Sequence, residues 1–543
     1  MFHERLAITL TVTAGGTAHT IPGANVKLAQ LELSAYGFSG VVEFVVADDK
    51  AYGGDEEDTF ILDFVKPDLI EVALAVKAVF ASPETVDTIA PVSVTGLGVT
   101  RTLEESSDMT HTDRAILWRR YRITFVDPAR VLWGQHYPCE LNTQKSPKDV
   151  IDAHKGAKIT VSYDWDALAT QAPIFYLNLL PEHGATFYDF ILWYVDTQAA
   201  VFAYDYTTPG YKLMTAKDAS AAPASLFGDD VERLSVVFPE VPRFSRNVLN
   251  SYTESAANTP IASAPAVEGI RQDYLLRTSI AQDVDDRVTL ETSRLFVRSS
   301  ELDLVFRRWP TVTIAPGILI KFAAQNLWGA DSIAVAQTWR VHTLTLHARA
   351  TEQGPDAEHN FTSTGYDIEI HAQMEQKDEK YARLPTYVRP KYPGYLEGKV
   401  VSAVGEDDEL TYDFATDDET SIDTYTVKVP LFEDKTVSAP YDPYHGYGKM
   451  YVPLYKNARV LLALTLRDAR VHRLLDWREG VRMEKGGQGE QIFFGKKIGA
   501  ATMMNHSYES SQPVFNIART NAKDKGTIQI KEGALIIQVK EDS

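Results

Sequence analysis

Alternation of apolar and polar residues with a period of two dominates the chain. Residues 6–12 alternate in this way, as a strand with one buried face does. Similar runs rich in branched and apolar residues occupy 41–46, 69–74 and 121–126, and Asp127-Pro128 closes the last of them. This period predicts a mainly β protein.

Helix signals are few, and the clearest lies at 146–153. Ser146 is a good N-cap there, and Pro147 fits the first helical turn. Residues 250–270 are small and polar, which predicts a long loop or linker. Three further segments are predicted as solvated loops or hairpin tips: 351–360, 405–409 and 417–419. The aromatic segment 187–195 has the residues of a sugar-binding groove, but its interleaved apolar residues favour a buried core segment.

The last fifty residues have a different character, because an apolar row continues to the end of the chain. A lone terminal hairpin is marginally stable, and this tail has no core of its own. Identical copies wound around a shared axis would bury the row and remove exposed strand edges. The alternative is that the tail pairs onto a sheet of its own chain. We favour the first arrangement and predict a trimeric needle core formed by Ile528, Ile530, Leu535, Ile537 and Val539.

Length and charge narrow the classes of function. A chain of 543 residues exceeds a single-core domain, so three or four domains are expected. Its formal net charge of −20 lacks the positive charge that nucleic-acid binding requires, so no nucleic-acid partner is expected. Acidity of this kind is typical of a large soluble protein.

The only cysteine, Cys139, forms no disulfide within the chain and excludes a cysteine-based zinc site. His136 lies three residues before it, in a segment that reads as strand and loop rather than as a catalytic pair. The early run 6–26 is broken by Gly15-Gly16 and Pro22-Gly23, so it is predicted as β-structure rather than a membrane span. The N-terminus lacks a basic and then apolar leader, so we expect no signal peptide and export by another route.

Catalytic motifs are missing from the sequence. It contains no HExxH zinc motif, no Walker A loop, no dinucleotide fingerprint and no nucleophile elbow. His342 and His347 lie five apart on a predicted strand, and strict alternation places them on opposite faces. Residues 441–447 have the composition of a turn. We therefore expect a non-enzymatic protein with no catalytic residue, cofactor or metal.

Taken in order, several segments resemble the VgrG spike proteins of type VI secretion and the related hub and spike proteins of contractile phage tails. The stretch 117–128, followed by the helix at 146–153, resembles a hub strand and its short helix. Residues 187–206 resemble the helix and strand that come next. Residues 314–320 and 338–347 are similar to the strands that close the hub.

Later segments extend the resemblance. Residues 392–401 are similar to the start of the family's OB-fold, and 427–430, 448–454 and 458–464 to its later strands. The terminal alternating strands correspond in place to the family's trimeric β-prism needle. Two departures, Arg467-Asp468-Ala469-Arg470 at a turn where Gly-Asp-Pro is common and the short needle, fit an extracellular particle or an unusual type VI branch.

The resemblance implies an architecture and a set of partners. It implies a hub of two tube-like β-barrels with small α/β insertions at 1–385, an OB-fold at 390–480 and a short trimeric β-prism needle at 486–543, with 250–270 as a linker. The implied role is a structural homotrimeric hub and puncturing spike. Its partners would be an Hcp-like hexameric inner tube, baseplate proteins and, at the tip, a PAAR-type cap and effectors, with a target membrane met only during puncture. Assembly in the bacterial cytoplasm and release on firing are expected.

A multidomain β protein that binds or degrades carbohydrate is the alternative function. Such an enzyme needs a pair of carboxylates in a groove, brought together from positions distant in the chain. The mass in solution separates the two hypotheses, since the spike is a trimer.

Overall fold

The computed structural model describes residues 1–541 except 49, 51–56, 80–88, 109–115, 325–326, 355–360, 381, 408, 410, 417, 419–421, 442–443, 446–449, 478–488 and 498. Strands dominate the described residues, so the prediction of a mainly β protein is confirmed. Much of the tips predicted at 351–360 and 417–419, and most of the turn at 441–447, lie outside the described residues.

The strands up to residue 376 are, in chain order, β1 (Phe2–Ala14), β2 (Thr17–Ile21), β3 (Val26–Ser34), β4 (Gly37–Asp48), β5 (Glu71–Ala78), β6 (Val92–Asp108), β7 (Ile116–Val126), β8 (Cys139–Lys145), β9 (Val161–Asp164), β10 (Ala172–Asn178), β11 (Val201–Asp205), β12 (Gly210–Met214), β13 (Ala224–Leu226), β14 (Val231–Val237), β15 (Ser245–Asn250), β16 (Ala257–Ile261), β17 (Arg271–Leu276), β18 (Glu301–Phe306), β19 (Leu319–Phe322), β20 (Thr338–Ala350) and β21 (Ser363–Gln376).

The later strands are β22 (Gly394–Val401), β23 (Ala415–Thr416), β24 (Asp423–Val429), β25 (Lys435–Pro440), β26 (Tyr444–His445), β27 (Met450–Tyr451), β28 (Ala458–Leu464), β29 (Ala469–Trp477), β30 (Glu490–Lys497), β31 (Ala500–Glu509), β32 (Gln512–Thr520), β33 (Asp524–Lys531) and β34 (Ala534–Glu541). The α-helices are α1 (Ile61–Phe64), α2 (Pro128–Leu132), α3 (Pro147–His154), α4 (Phe187–Thr197), α5 (Ala281–Ser293) and α6 (Ile333–Ala336).

Contacts between residues divide the chain into two compact units. The first comprises Met1–Tyr137, Lys148–Ala169 and Leu179–Pro390, and the second comprises Pro138–Pro147, Thr170–Asn178 and Lys391–Ser543. The predicted boundary between an OB-fold at 390–480 and a needle at 486–543 falls inside the second unit, and it stays a prediction.

In the first unit, eight strands form a closed ring of pairings. The order is β20-β3-β4-β7-β6-β5-β1-β21, and β21 pairs with β20 to complete the ring. Glycines permit the close packing: a Cβ at Gly40 would lie 2.5 Å from the ring of Phe125, and one at Gly96 would lie 2.7 Å from it. Phe125 is fully buried between them, so this ring has a tight apolar core.

The long hairpin of β20 and β21 serves two groups of strands. At the open end of the hairpin, β20 pairs with β19 and β21 pairs with β18. Nearer the turn, β20 pairs with β3 and β21 pairs with β1. The exchange of partners along β20 coincides with a bulge, because Val341 and Thr343 oppose adjacent residues of β21 while His342 has no partner there. The two-residue alternation assumed for His342 and His347 is therefore wrong across this bulge.

Helix α4 confirms the prediction that the aromatic segment 187–195 belongs to the core. Thr186 caps its N-terminus with a capping box, in which Asp189 N–H donates to Thr186 Oγ1 at 3.2 Å and Thr186 N–H donates to Asp189 Oδ2 at 2.9 Å. Phe190 and Leu192 are fully buried. Helix α3 likewise lies where Ser146 and Pro147 predicted a helix.

The predicted linker 250–270 contains a strand. Strand β16 pairs antiparallel with β15, which also pairs parallel with β17, so these strands form a small sheet. Ile261 is buried against Val248 and Val284 of α5, which explains why this polar segment holds a strand. The segment was predicted as a loop because its residues are mostly small and polar. Its one buried apolar residue is Ile261.

The second unit is built around the sheet β23-β24-β22-β28-β29, with β25 paired to β24. Strands β8 and β10, which pair antiparallel and belong to this unit, contribute Leu141, Ile174 and Tyr176 to its apolar core. Tyr176 N–H donates to the carbonyl of Leu466 at 2.8 Å, and the hydroxyl of Tyr392 donates to the carbonyl of Tyr176 at 2.8 Å. Strands β22, β24 and β28 lie where the resemblance placed OB-fold strands, and the OB topology itself stays a prediction.

Candidate assembly surface in the C-terminal sheet

The end of the chain forms a five-stranded antiparallel meander, in the order β30-β31-β32-β33-β34. Two-residue turns connect β31 to β32 and β33 to β34. Ser510 and Ser511, both at positive φ, connect β31 to β32, and Glu532-Gly533 connects β33 to β34 with Gly533 at φ 68°. The hairpin of β33 and β34 therefore does pair onto a sheet of its own chain, as the alternative prediction held.

The register of this meander aligns apolar residues of all five strands. One row runs Ile492, Met504, Ile517, Ile528, Ile537, each paired with the next. Because paired residues of adjacent strands lie on the same face of a sheet, this row forms a continuous apolar stripe. Alternate residues on either side of the row share its face. We call the following ten residues the apolar face: Ile492, Phe494, Met504, Phe515, Ile517, Ile528, Ile530, Leu535, Ile537 and Val539.

Most of the apolar face is open to solvent in a single chain, and Met504, Phe515 and Ile517 are partly buried. Ile537 and Val539 are each 71% exposed, and Leu535 is 65% exposed. Val427 and Leu462, at the centre of the preceding sheet, are fully buried. Contiguous exposed apolar patches above roughly a few hundred Å² mark interaction sites in soluble proteins. Pairing onto the chain's own sheet thus satisfies the backbone of the tail and leaves its apolar side chains uncovered.

The opposite face of the meander is different in composition. The row beside Ile537 runs Gln538, Thr527, Ala518, Met503, Phe493, and Ala518 is buried within it. On the opposite face of the last hairpin, Ile536 is paired with Gln529 and is 38% exposed. The last hairpin is therefore amphipathic, with its apolar side on the apolar face.

The five residues predicted as a needle core all belong to the apolar face, together with five that the sequence analysis missed. Ile492, Phe494, Met504, Phe515 and Ile517 join it through the strand register. Phe515-Asn516-Ile517 alternates, whereas Ile492-Phe493-Phe494 is a continuous apolar run whose buried face the sequence does not show. The strand pairings assign both to the same face. Whether the predicted core is buried in a trimer stays a prediction.

Among the described residues, no group of three or more His, Cys, Asp or Glu side chains is placed to hold a metal ion. Burial lowers the pKa of His342 to about 4, with Lys217 and Arg298 adding to the effect. Cys139 Sγ lies 3.7 Å from the phenol oxygen of Tyr176, which is no activating base.

We expect purified protein to carry no stoichiometric catalytic metal and to show no hydrolase activity. The measurement is elemental analysis of the protein after it is dialysed against metal-free buffer. Stoichiometric zinc in the chain would contradict this expectation, whereas a metal in a separate tip protein would not.

In the part of the chain that the structure describes, no helix is both long and apolar enough to cross a bilayer.

Comparison of the fold with solved structures gives a clear likeness. The chain superposes on a chain of the half-lidded Francisella PdpA–VgrG complex with a TM-score of 0.70 and 13% sequence identity, covering 99% of this chain and 88% of that chain. For the lidless form of that complex the TM-score is 0.69 at 13% identity, covering 100% of this chain and 99% of that chain. This protein has the fold of a chain of the PdpA–VgrG complex.

A more distant likeness is to the E. coli c3393 protein, described as a component of the type VI secretion system that resembles the T4 tail proteins gp27 and gp5. Its TM-score is 0.44 at 11% identity, with 83% of this chain and 97% of that chain covered, which is too low to support a fold assignment. No protein-family model matches the sequence, and no curated protein matches it. The likeness to the Francisella complex, at 13% identity, concerns the fold alone.

Proposed function

We propose that this protein is a non-enzymatic, structural trimeric hub and spike at the tip of a contractile injection system of the VgrG type. The observation that carries the proposal is the apolar face, which spans five strands at the end of the chain and is exposed in one copy. The fold likeness to a chain of the PdpA–VgrG complex supports the same class of machine.

Three copies of one chain are the occupants that the apolar face fits best. Burying an isoleucine or leucine side chain contributes about 1.5–3 kcal/mol. Ile528, Ile530, Leu535, Ile537 and Val539 are all more than a third exposed, so mutual burial in a trimer supplies a substantial driving force. A closed threefold arrangement also limits the assembly to three copies, because each copy contacts the other two and every apolar face is covered.

The remaining partners follow from this position in the machine. The hub strands of the first unit would meet an Hcp-like hexameric inner tube and the baseplate, and the needle would meet a PAAR-type tip protein and effectors. Sheath contraction would then drive the needle through a target envelope. The role is mechanical, so it requires neither a cofactor nor a catalytic residue.

Reconstitution tests the proposed function. The protein is co-expressed with sheath and inner-tube proteins of a contractile injection system, and the particles are imaged by electron microscopy. We expect this chain as a threefold-symmetric density at one end of the tube. Tubes that form without it and never bind it, together with glycan hydrolysis by the purified chain, would contradict the proposal and favour the carbohydrate enzyme.

A further inference from the structure

The first unit contains a cavity of about 640 Å³, bordered by the ends of α4, β12, α5 and β21. Small side chains, including Ala200 and Ala216, make the space. Its volume lies within the roughly 300–1,000 Å³ that small-molecule sites occupy. The cationic residues that line it are Lys217, Arg246, Arg294, Arg340, Lys377 and Lys380, and we call it the basic cavity.

Two buried carboxylates position four of these cations. Glu375 Oε1 lies 2.6 Å from Lys217 Nζ and 3.3 Å from Arg340 Nη1. Glu291, whose side chain is fully buried, lies 2.9 Å from Arg246 Nη1 and 3.6 Å from Arg294 Nη1. The side chains are thus held in fixed positions rather than free to move in solvent.

The carboxylates leave this cluster with excess positive charge. Glu291 is shared with a third arginine, Arg287, at 2.8 Å. The cavity is lined by six cationic side chains and by three carboxylates, which are Asp196, Asp378 and Glu379. Together with Glu375, Glu291 and Arg287 the group has seven cations and five carboxylates, in a chain whose net charge is −20. The local charge is therefore opposite to that of the whole protein.

Some of the cations that line the cavity, Arg246 among them, are also incompletely satisfied. Arg246 Nε is buried and has no hydrogen-bond partner within the part of the chain that the structure describes. Burial lowers the pKa of Lys217, and Arg340 lowers it further, although Glu375 opposes both effects. Lys377 and Lys380 form no ion pair with any described residue. A ligand that brings negative charge would stabilise all of these groups.

We propose that the basic cavity is a binding site for an oxyanion of small-molecule size that carries phosphate or carboxylate groups. The planar guanidinium groups of Arg246, Arg294 and Arg340 suit such oxygens because they donate paired hydrogen bonds to them. Lys377 and Lys380 add charge at the more exposed side of the cavity. This site is separate from the apolar face and does not depend on the proposed function.

Calorimetric titration of the full chain with inorganic phosphate and, separately, with citrate tests the proposal. Ionic strength is held constant with chloride, so that general screening does not contribute. We expect at least one of the two anions to bind with a Kd of about 0.1–1 mM, and the stronger of them identifies the preferred group as phosphate or carboxylate. If neither anion binds more tightly than chloride, the proposal is wrong.

A double variant locates the binding. Lys377→Gln with Lys380→Gln removes two cations from the cavity and breaks no described ion pair, so the fold is expected to be unchanged. Its affinity for the anion should fall roughly tenfold. The matched control is Lys145→Gln with Lys321→Gln, two exposed lysines outside the cavity that give the same change in net charge. Equal loss of affinity in both variants, or no loss in either, would overturn the assignment to this cavity.

Discussion

Replacing Ile537 with Asp is expected to abolish the proposed trimer at neutral pH while leaving the fold of each single chain unchanged. Ile537 lies in the apolar row with Ile528 and is 71% exposed in one copy, so the substitution costs little before assembly. In the trimer it would place three carboxylates in a dry core. Such carboxylates have raised pKa values and do not all ionise, so the needle is destabilised.

The sign of the pH dependence follows from that shift. An Asp whose pKa is higher in the trimer than in the free chain binds its proton more tightly in the trimer. Ile537→Asp trimers should therefore be weakest at neutral pH and recover partly as the pH falls toward about 4, near the pKa of a free Asp side chain. Sedimentation at several pH values measures this dependence.

Gln538→Asp is the matched control, because Gln538 is the next residue of β34 and lies on the opposite face. Its cost should stay within about 0.5 kcal/mol, as for most surface substitutions. If the two variants have the same trimer mass and the same melting temperature, the assignment of faces in this hairpin is wrong.

Truncating Glu291 to Ala should strongly destabilise the small sheet of β15, β16 and β17. The carboxylate is fully buried and forms ion pairs with Arg246, Arg287 and Arg294. Removing one partner of a buried ion pair costs about 3–5 kcal/mol. The lower end of that range is expected here because Arg287 is about a third exposed. Among the described residues, the buried members of the apolar core beside it are Val248, Ile261 and Val284, so this small core has little capacity to compensate.

Thermal unfolding and hydrogen exchange of the amides in β15, β16 and β17 measure the effect. Glu268→Ala, at an exposed position after β16, is the control and should behave like the unaltered protein. A melting temperature for Glu291→Ala equal to that of the control, with unchanged exchange in β15, would show that the ionic cluster does not stabilise this sheet.

Local periodicity was sufficient to predict the elements whose side chains alternate cleanly. Residues 6–12 and 121–126 lie in β1 and β7, and Ser146 with Pro147 predicted α3. The apolar row of the tail likewise placed β33 and β34. These signals are carried by neighbouring residues, so they need no knowledge of the fold.

Features set by pairing between distant segments could not be predicted in the same way. The bulge at His342 arises where β20 changes partner from β19 to β3. The insertion of Tyr176 into the core of the second unit joins residues more than two hundred positions apart. The alignment of Ile517 with Ile528 is fixed by the register of β32 and β33. The basic cavity is also of this kind, since its cations come from five separate parts of the chain.

The mass of the protein in solution tests the central claim most directly. Light scattering is measured on the full chain and on a chain ended at residue 485, which lacks the whole C-terminal meander. We predict three times 60.5 kDa for the full chain and loss of the trimer, with a folded first unit, for the shortened chain. A full chain that is a monomer at 60.5 kDa would contradict the account, and a shortened chain that remains a trimer would show that the apolar face does not hold the assembly together.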